Sequence, residues 1–200
     1  MPSTPHNLIS AQRLPPPALL RVAWIVALAL LPCLQSQEAP RLADPEALLA
    51  AFVYNFCLFT DWPAAMPGTE GESFVLAVAG QPLPAFASLG KRKVAKRPVR
   101  VVQLGATDAI PESCDALFCQ GLTKDRQRDL LAQAAQRPIL TLSPDPGFCQ
   151  AGGIVEFFVS GQHMRFRVSL PNLNRTGLRI ASRLLQLAEN LSAPAGGEAP

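Results

Sequence analysis

Residues Phe74–Ala79 read FVLAVA, an unbroken apolar run with no polar residue on either side of the alternation. A strand with one wet face shows every second position polar, so this one has to be covered on both faces. Covering a strand twice calls for helices above and below a mainly parallel sheet, and the neighbouring sequence supplies them. Asp44-Pro45-Glu46 is a helix start: a capping carboxylate, proline in the first turn and an acid near the positive dipole end. The helix predicted over Ala47–Thr60 places Leu48, Leu49, Phe52, Val53, Phe56 and Phe59 on one wide face. Trp62-Pro63 stops it, because proline disfavours helix at the residue before it.

The alternation continues along the chain. A polar loop at Gly68–Ser73 leads into the FVLAVA strand, and Gly80-Gln81-Pro82 turns into a short helix at Leu83–Leu89. Strands follow at Val99–Leu104 and Cys114–Gln120. A helix over Lys124–Gln136, capped by Thr123, turns Leu130, Leu131, Ala134 and Ala135 inward, and a short buried strand covers Ile139–Leu142. Ile154–Ser160 and Met164–Ser169 flank Gly161-Gln162, the signal of an antiparallel hairpin. Leu173, Gly177, Ile180, Leu184, Leu187 and Leu191 recur at helical spacing and predict one long C-terminal helix. The class is therefore α/β, a three-layer sandwich with a mainly parallel sheet, an antiparallel C-terminal hairpin and that helix. Residues 44–191 form a single domain, and 192–200 is a disordered tail rich in proline and glycine.

The first 37 residues read as a secretory signal peptide. Arg13 and Arg21 precede the apolar segment Val22–Leu34, and no charge appears before Glu38. That stretch is shorter than the roughly 18–20 apolar residues that span a bilayer. Ser36 and Ala39 are both poor cleavage positions by the small-x-small rule, so the cleavage site stays open. An uncleaved anchor and a lipidated Cys33 are the minor alternatives.

Charge and histidine content narrow the chemistry. The whole chain has 18 basic and 15 acidic residues, and losing the leader brings it closer to neutral. Binding to phosphate backbones normally takes a more basic domain, so no nucleic-acid partner is expected. Of the two histidines only His163 outlasts the leader, which removes histidine-based metal centres and Ser/His or Cys/His nucleophile pairs.

Four cysteines follow the leader: Cys57, Cys114, Cys119 and Cys149. In an exported protein an even number favours disulfides. Cys114 and Cys119 flank one strand, and an extended segment of that length spans about 16 Å, too far for a bridge whose Cα atoms lie roughly 4.4–6.8 Å apart. The two remaining pairings stay open. Cys119–Cys149 is preferred, since both follow the carboxyl ends of adjoining strands, with Cys57–Cys114 as the second pair. No Cys-x-x-Cys is present to favour a redox role.

Sites of turnover are hard to find. Gly147, Gly152 and Gly153 fit neither a dinucleotide nor a Walker phosphate loop. Asp108, Glu112, Asp125 and Asp129 read as loop and helix-surface acids. Asp145, at a strand's carboxyl end, is read as a turn residue rather than an acid catalyst. No catalytic residue, metal site or cofactor is expected. The densest charge feature is the cluster Lys91, Arg92, Lys93, Lys96, Arg97 and Arg100, either a solvated loop or a contact for an anionic partner.

A series of short motifs resembles the YfiR/HmsC-like family of exported bacterial proteins. They are AFVYNFCLFTDW at Ala51–Trp62, GKRKVAKRP at Gly90–Pro98, CDALF at Cys114–Phe118, Leu140–Ser143 ahead of Gly147-Phe148, Gly152-Gly153, Arg165-Phe166, and GLRIASRLLQLA at Gly177–Ala188. Their order, across residues 45 to 190, is more specific than any one of them. Two departures stand out. Ser169 sits where family members often have Asn, and Glu156 sits near where some relatives carry a second cysteine.

The resemblance implies a compact α/β sandwich that can form a homodimer and carries disulfides. It also implies a periplasmic, non-enzymatic regulator that binds the periplasmic domain of an inner-membrane diguanylate cyclase and represses it. Cyclic di-GMP and biofilm formation would fall as a result, and membrane contact would come only through the partner. Tyr54, Trp62 and Phe148, with Arg92 and Arg97 of the basic cluster, are the residues expected to touch that partner, since aromatics and arginine dominate interface energetics. The alternative reading is a periplasmic small-molecule-binding sensor module of a transporter or kinase system. An exported enzyme and a structural component of an envelope complex are more distant rivals.

Overall fold

The computed structural model describes residues 44–63, 73–135 and 137–189. The leader at 1–37 and the tail at 192–200 lie outside the described residues. Helix α1 (Pro45–Leu58) begins as the sequence dictates: Asp44 accepts a hydrogen bond from the Glu46 N–H at 3.1 Å, and Pro45 occupies the first turn. It buries Leu49, Ala50, Val53, Phe56 and Cys57. The chain then enters a two-residue strand β1 (Thr60–Asp61), so the helix stops earlier than its apolar spacing predicts.

Among the described residues seven strands make the main sheet: β2 (Phe74–Gly80), β3 (Lys93–Val94), β4 (Arg97–Leu104), β5 (Cys114–Gln120), β6 (Leu140–Ser143), β7 (Val155–Ser160) and β8 (His163–Val168). Their spatial order is β3-β4-β2-β5-β6-β7-β8. β2 lies parallel to β4 and β5, β5 to β6, and β6 to β7. The β7–β8 hairpin adds the expected antiparallel edge, with Phe157 opposite Phe166.

Alternation along the strands feeds two separate cores. Phe74, Leu76 and Val78 of β2, with Ala116 and Phe118 of β5, pack against α1 and a 3-10 helix at Pro84–Lys91. Ala77, Ala79, Leu117 and Cys119 point the other way, toward helix α2 (Lys124–Ala134) and Phe148. Both faces of FVLAVA are covered, as the unbroken run requires. Thr123 caps α2 by accepting from the Arg126 N–H, and Leu130, Leu131 and Ala134 are buried, whereas Ala135 is exposed.

The long C-terminal helix is not there, and the sandwich loses the outer element it was to supply. Helix α3 (Leu170–Thr176) ends at Gly177, which takes a left-handed φ of 71°. A glycine in that conformation is a strong helix stop, and here it outweighs the apolar period. Strand β9 (Arg179–Ile180) then pairs antiparallel with β1, setting Ile180 opposite Thr60. Among the described residues one short further turn, α4 (Ser182–Leu185), follows. The leucine stripe is divided: Leu173 and Leu178 enter the α1-side core, while Leu187 is 72% exposed. The Glu189 N–H bonds to the Phe166 carbonyl at 2.9 Å, and Glu189 pairs with Arg165, so the segment closes over edge strand β8.

Candidate functional site

The basic cluster forms a hairpin that sequence reasoning treats as a loop. Lys93 and Val94 of β3 pair with Pro98 and Arg97 of β4, leaving Ala95-Lys96 as a two-residue connection. Right-handed strand twist favours turns with positive φ at both central positions, normally Asn-Gly. Here the two residues are Ala95 (φ 48°) and Lys96 (φ 67°), neither of them glycine. Each left-handed non-glycine residue costs roughly 1–2 kcal/mol. Such strain often gathers where a loop is shaped for contact. Lys91, Arg92, Lys93, Lys96 and Arg100 are all exposed on this hairpin and its flanks.

The structure divides the five expected contact residues into three groups. Tyr54 and Arg92 come together: the Arg92 guanidinium lies 5.5 Å from the Tyr54 ring centre, and the Tyr54 hydroxyl donates to the Lys93 carbonyl at 3.0 Å. Both border a groove of about 530 Å³ between α1 and the 3-10 helix, floored by Ala47, Ala50, Ala51 and Ala85. Small residues on that helix face let the groove form. Tyr54, Arg92 and the hairpin lysines thus make one outward surface.

Trp62 and Arg97 form a second group that faces partly inward. Pairing between β2 and β5 slips after Val75, which lies opposite Cys114 while Leu76 lies opposite Ala116. The extra residue is Asp115, fully buried at 0% exposure. Its carboxylate accepts from the Val75 N–H at 2.8 Å and from both terminal nitrogens of Arg97 at 2.9 Å. Arg97 also donates to the Ser73 carbonyl at 2.6 Å and stands over the Phe74 ring. Trp62 meets Phe74 edge-on at 5.2 Å and donates its indole N–H to the Asp115 carbonyl. Arg97 is therefore a structural tie within the domain, in contrast to the outward cations around it. Asp115 went unnoticed in the sequence, though a lone acid inside CDALF was the available signal.

Phe148 is the third case and a correction. It is 0% exposed in the α2-side core, so it offers nothing to a partner. The loop around it is fastened by polar contacts: Cys149 N–H to Glu156 at 3.1 Å, Glu156 to Arg167 at 3.2 Å, and Asn172 to the carbonyls of Cys149 and Gly153. The buried Glu156 carboxylate thus ties the Cys149 loop to Arg167 of β8.

Among the described residues the cysteines are unbonded. Cys57, Cys114, Cys119 and Cys149 are all free and buried, so neither Cys119–Cys149 nor Cys57–Cys114 is joined. Cys57 lies in the α1-side core and Cys114 in the α2-side core, with the sheet between them. The Cys149 thiol turns toward the Ile154 carbonyl at 3.4 Å. Burial pushes the thiols of Cys114, Cys119 and Cys149 up to about 12, and that of Cys57 higher still.

At the carboxyl ends of the strands, where α/β sites commonly sit, the charged groups are already engaged. Asp145 accepts from the Gly121 N–H at 2.8 Å, and Arg126 donates to the carbonyls of Gly105 and Asp108. Asp145 is a loop clip, in keeping with its reading as a turn residue. His163 is exposed at the start of β8. Among the described residues no three His, Cys, Asp or Glu side chains gather to hold a metal ion, and no helix is long and apolar enough to cross a membrane.

Residues 46–189 match the family model described as YfiR/HmsC-like. No curated protein matches the chain.

Proposed function

This chain belongs to the YfiR/HmsC-like family, regulators of diguanylate cyclase signalling, and we propose that it is an exported, non-enzymatic repressor of one such cyclase. In this reading it acts in the periplasm, binds the periplasmic domain of the inner-membrane enzyme, and lowers cyclic di-GMP and biofilm formation. The match over residues 46–189 is the observation that carries the reading. The exposed basic hairpin beside the Tyr54–Arg92 groove supports it with a surface suited to an acidic protein face.

A repressor shifts its target only by holding the inactive arrangement more tightly than the active one. A hundredfold preference corresponds to about 2.7 kcal/mol, within the ordinary range of allosteric coupling. Lys91, Arg92, Lys93 and Lys96 would supply attraction and orientation, and Tyr54 the apolar anchor. Arg97 holds the underside of that surface through Asp115, and Trp62 packs against Phe74 beside that pair. In this reading the protein can also form a homodimer, which light scattering of the purified protein tests.

The test of the partner is affinity capture from detergent-solubilised envelope membranes, with the protein as bait. Retention of a diguanylate cyclase, lost in an Arg92→Glu/Lys96→Glu variant that remains folded, is the expected result. Capture without any cyclase, or capture that ignores the double variant, would contradict this reading or its surface respectively.

A further inference from the structure

We infer that the cavity between α2, the loop at 151–154 and α3 binds a small organic anion, a carboxylate of about single-ring size. The cavity measures about 210 Å³. A dry cavity of about 150 Å³ lined by apolar side chains accepts benzene, so this one has room for a ring and a head group. Its floor is apolar, from Leu131, Ile139 and Ile154, and two cations border it, Arg128 and Arg175. Among the described residues no acidic side chain lines it. An apolar floor with two arginines at its border selects a ligand that is apolar at one end and anionic at the other.

The walls are fixed before any ligand arrives. Asn172 donates to the carbonyls of Cys149 at 3.0 Å and Gly153 at 2.8 Å, which fastens α3 to the loop. The Thr141 hydroxyl accepts from the Ile154 N–H at 2.9 Å and fastens the loop to β6. Preorganised walls reduce the ordering cost of binding. Arg128 pairs with Asp125, yet both side chains are mostly exposed, at 71% and 86%. A pair of that kind contributes little and releases Arg128 at small cost. Arg175 has no ion pair among the described residues. Among the described residues the cavity shares no lining residue with the Tyr54–Arg92 groove, so ligand and partner protein would not compete for the same atoms.

Benzoate and its uncharged analogue benzamide separate the anion from the ring. Titrated into the isotopically labelled protein and followed by amide NMR, benzoate should shift Leu131, Ile139 and Ile154 saturably, with a Kd on the order of 0.1–1 mM. Benzamide should bind at least about tenfold more weakly, the discrimination a charge-assisted contact supplies. Arg175→Gln should weaken benzoate about fivefold or more while leaving benzamide unchanged. Equal binding of the two probes overturns the anion assignment even if the arginine variant fails to fold. Absence of saturable shifts, or shifts confined to other residues, overturns the site.

Discussion

Arg97 meets Asp115 through two nitrogens and two oxygens, each at 2.9 Å, and the acid is fully buried while the arginine side chain keeps 21% of its exposure. The pair lies beneath the basic hairpin and fixes where β4 begins. Removing one member of a buried pair leaves the other charge without a partner, which typically costs about 3–5 kcal/mol. Partial exposure of Arg97 puts the expected loss for Arg97→Ala toward the lower end of that range. Arg97→Glu should be worse, because it sets a second carboxylate against Asp115. Urea unfolding midpoints test this. Variants as stable as the parent would show that the pair is not a structural tie.

Two glycines separate backbone demand from mere spacing. Gly80 has a φ of 99°, and a Cβ there would stand 1.9 Å from the Gln120 carbonyl oxygen, whereas a Cβ at Gly90 meets nothing within 4 Å. Gly80→Ala should cost upwards of about 2 kcal/mol through strain and overpacking. Gly90→Ala should be near neutral. Comparable thermal midpoints for the two variants would count against the close approach of β2 and β5 at that point.

The strained hairpin predicts a stabilising change. Ala95→Gly relieves a left-handed alanine and should add about 1 kcal/mol, net of the entropy glycine brings. For a domain of this size that is a rise of about 2–4 °C in Tm. A fall in Tm would mean that Ala95 does not hold a positive φ in solution.

The raised thiols predict alkaline sensitivity. A group whose folded pKa lies above its unfolded one contributes stability that is complete below the unfolded value and disappears as pH climbs toward the folded value. For Cys114, Cys119 and Cys149, raised from 9.0 to about 12, that window runs from about pH 9 to about pH 12. Under reducing conditions, urea midpoints should fall above pH 9, and Cys119→Ala should flatten the fall. A slope unaffected by that substitution would assign the alkaline loss to other groups.

Much of the fold was legible because its signals were local. The unbroken FVLAVA run implied a doubly covered strand, and Asp44-Pro45-Glu46 and Thr123 marked helix starts that the structure bears out. The features that escaped were non-local or left two rules in conflict. Gly177 stood inside a leucine stripe as though it were one of its apolar positions, and its preference for a left-handed helix stop prevailed. The β1–β9 pairing joins residues far apart in sequence, with no turn between them to announce it. Asp115 occupies a bulge, and a bulge leaves no periodic trace. Of the contact residues, Tyr54 and Arg92 emerged on one surface, Trp62 and Arg97 met in another cluster, and Phe148 was carried inside by the same apolarity that drew notice to it.

Repression in this reading rests on grip by the basic hairpin, and cellular cyclic di-GMP measures that grip most directly. In a strain carrying the cyclase, replacing Arg92 and Lys96 by glutamate should raise the dinucleotide toward the level seen when the regulator is deleted. The double variant should still accumulate as a folded protein with an unchanged melting temperature. Cyclic di-GMP that stays at the parental level, with the variant folded and present in normal amount, would contradict the claim.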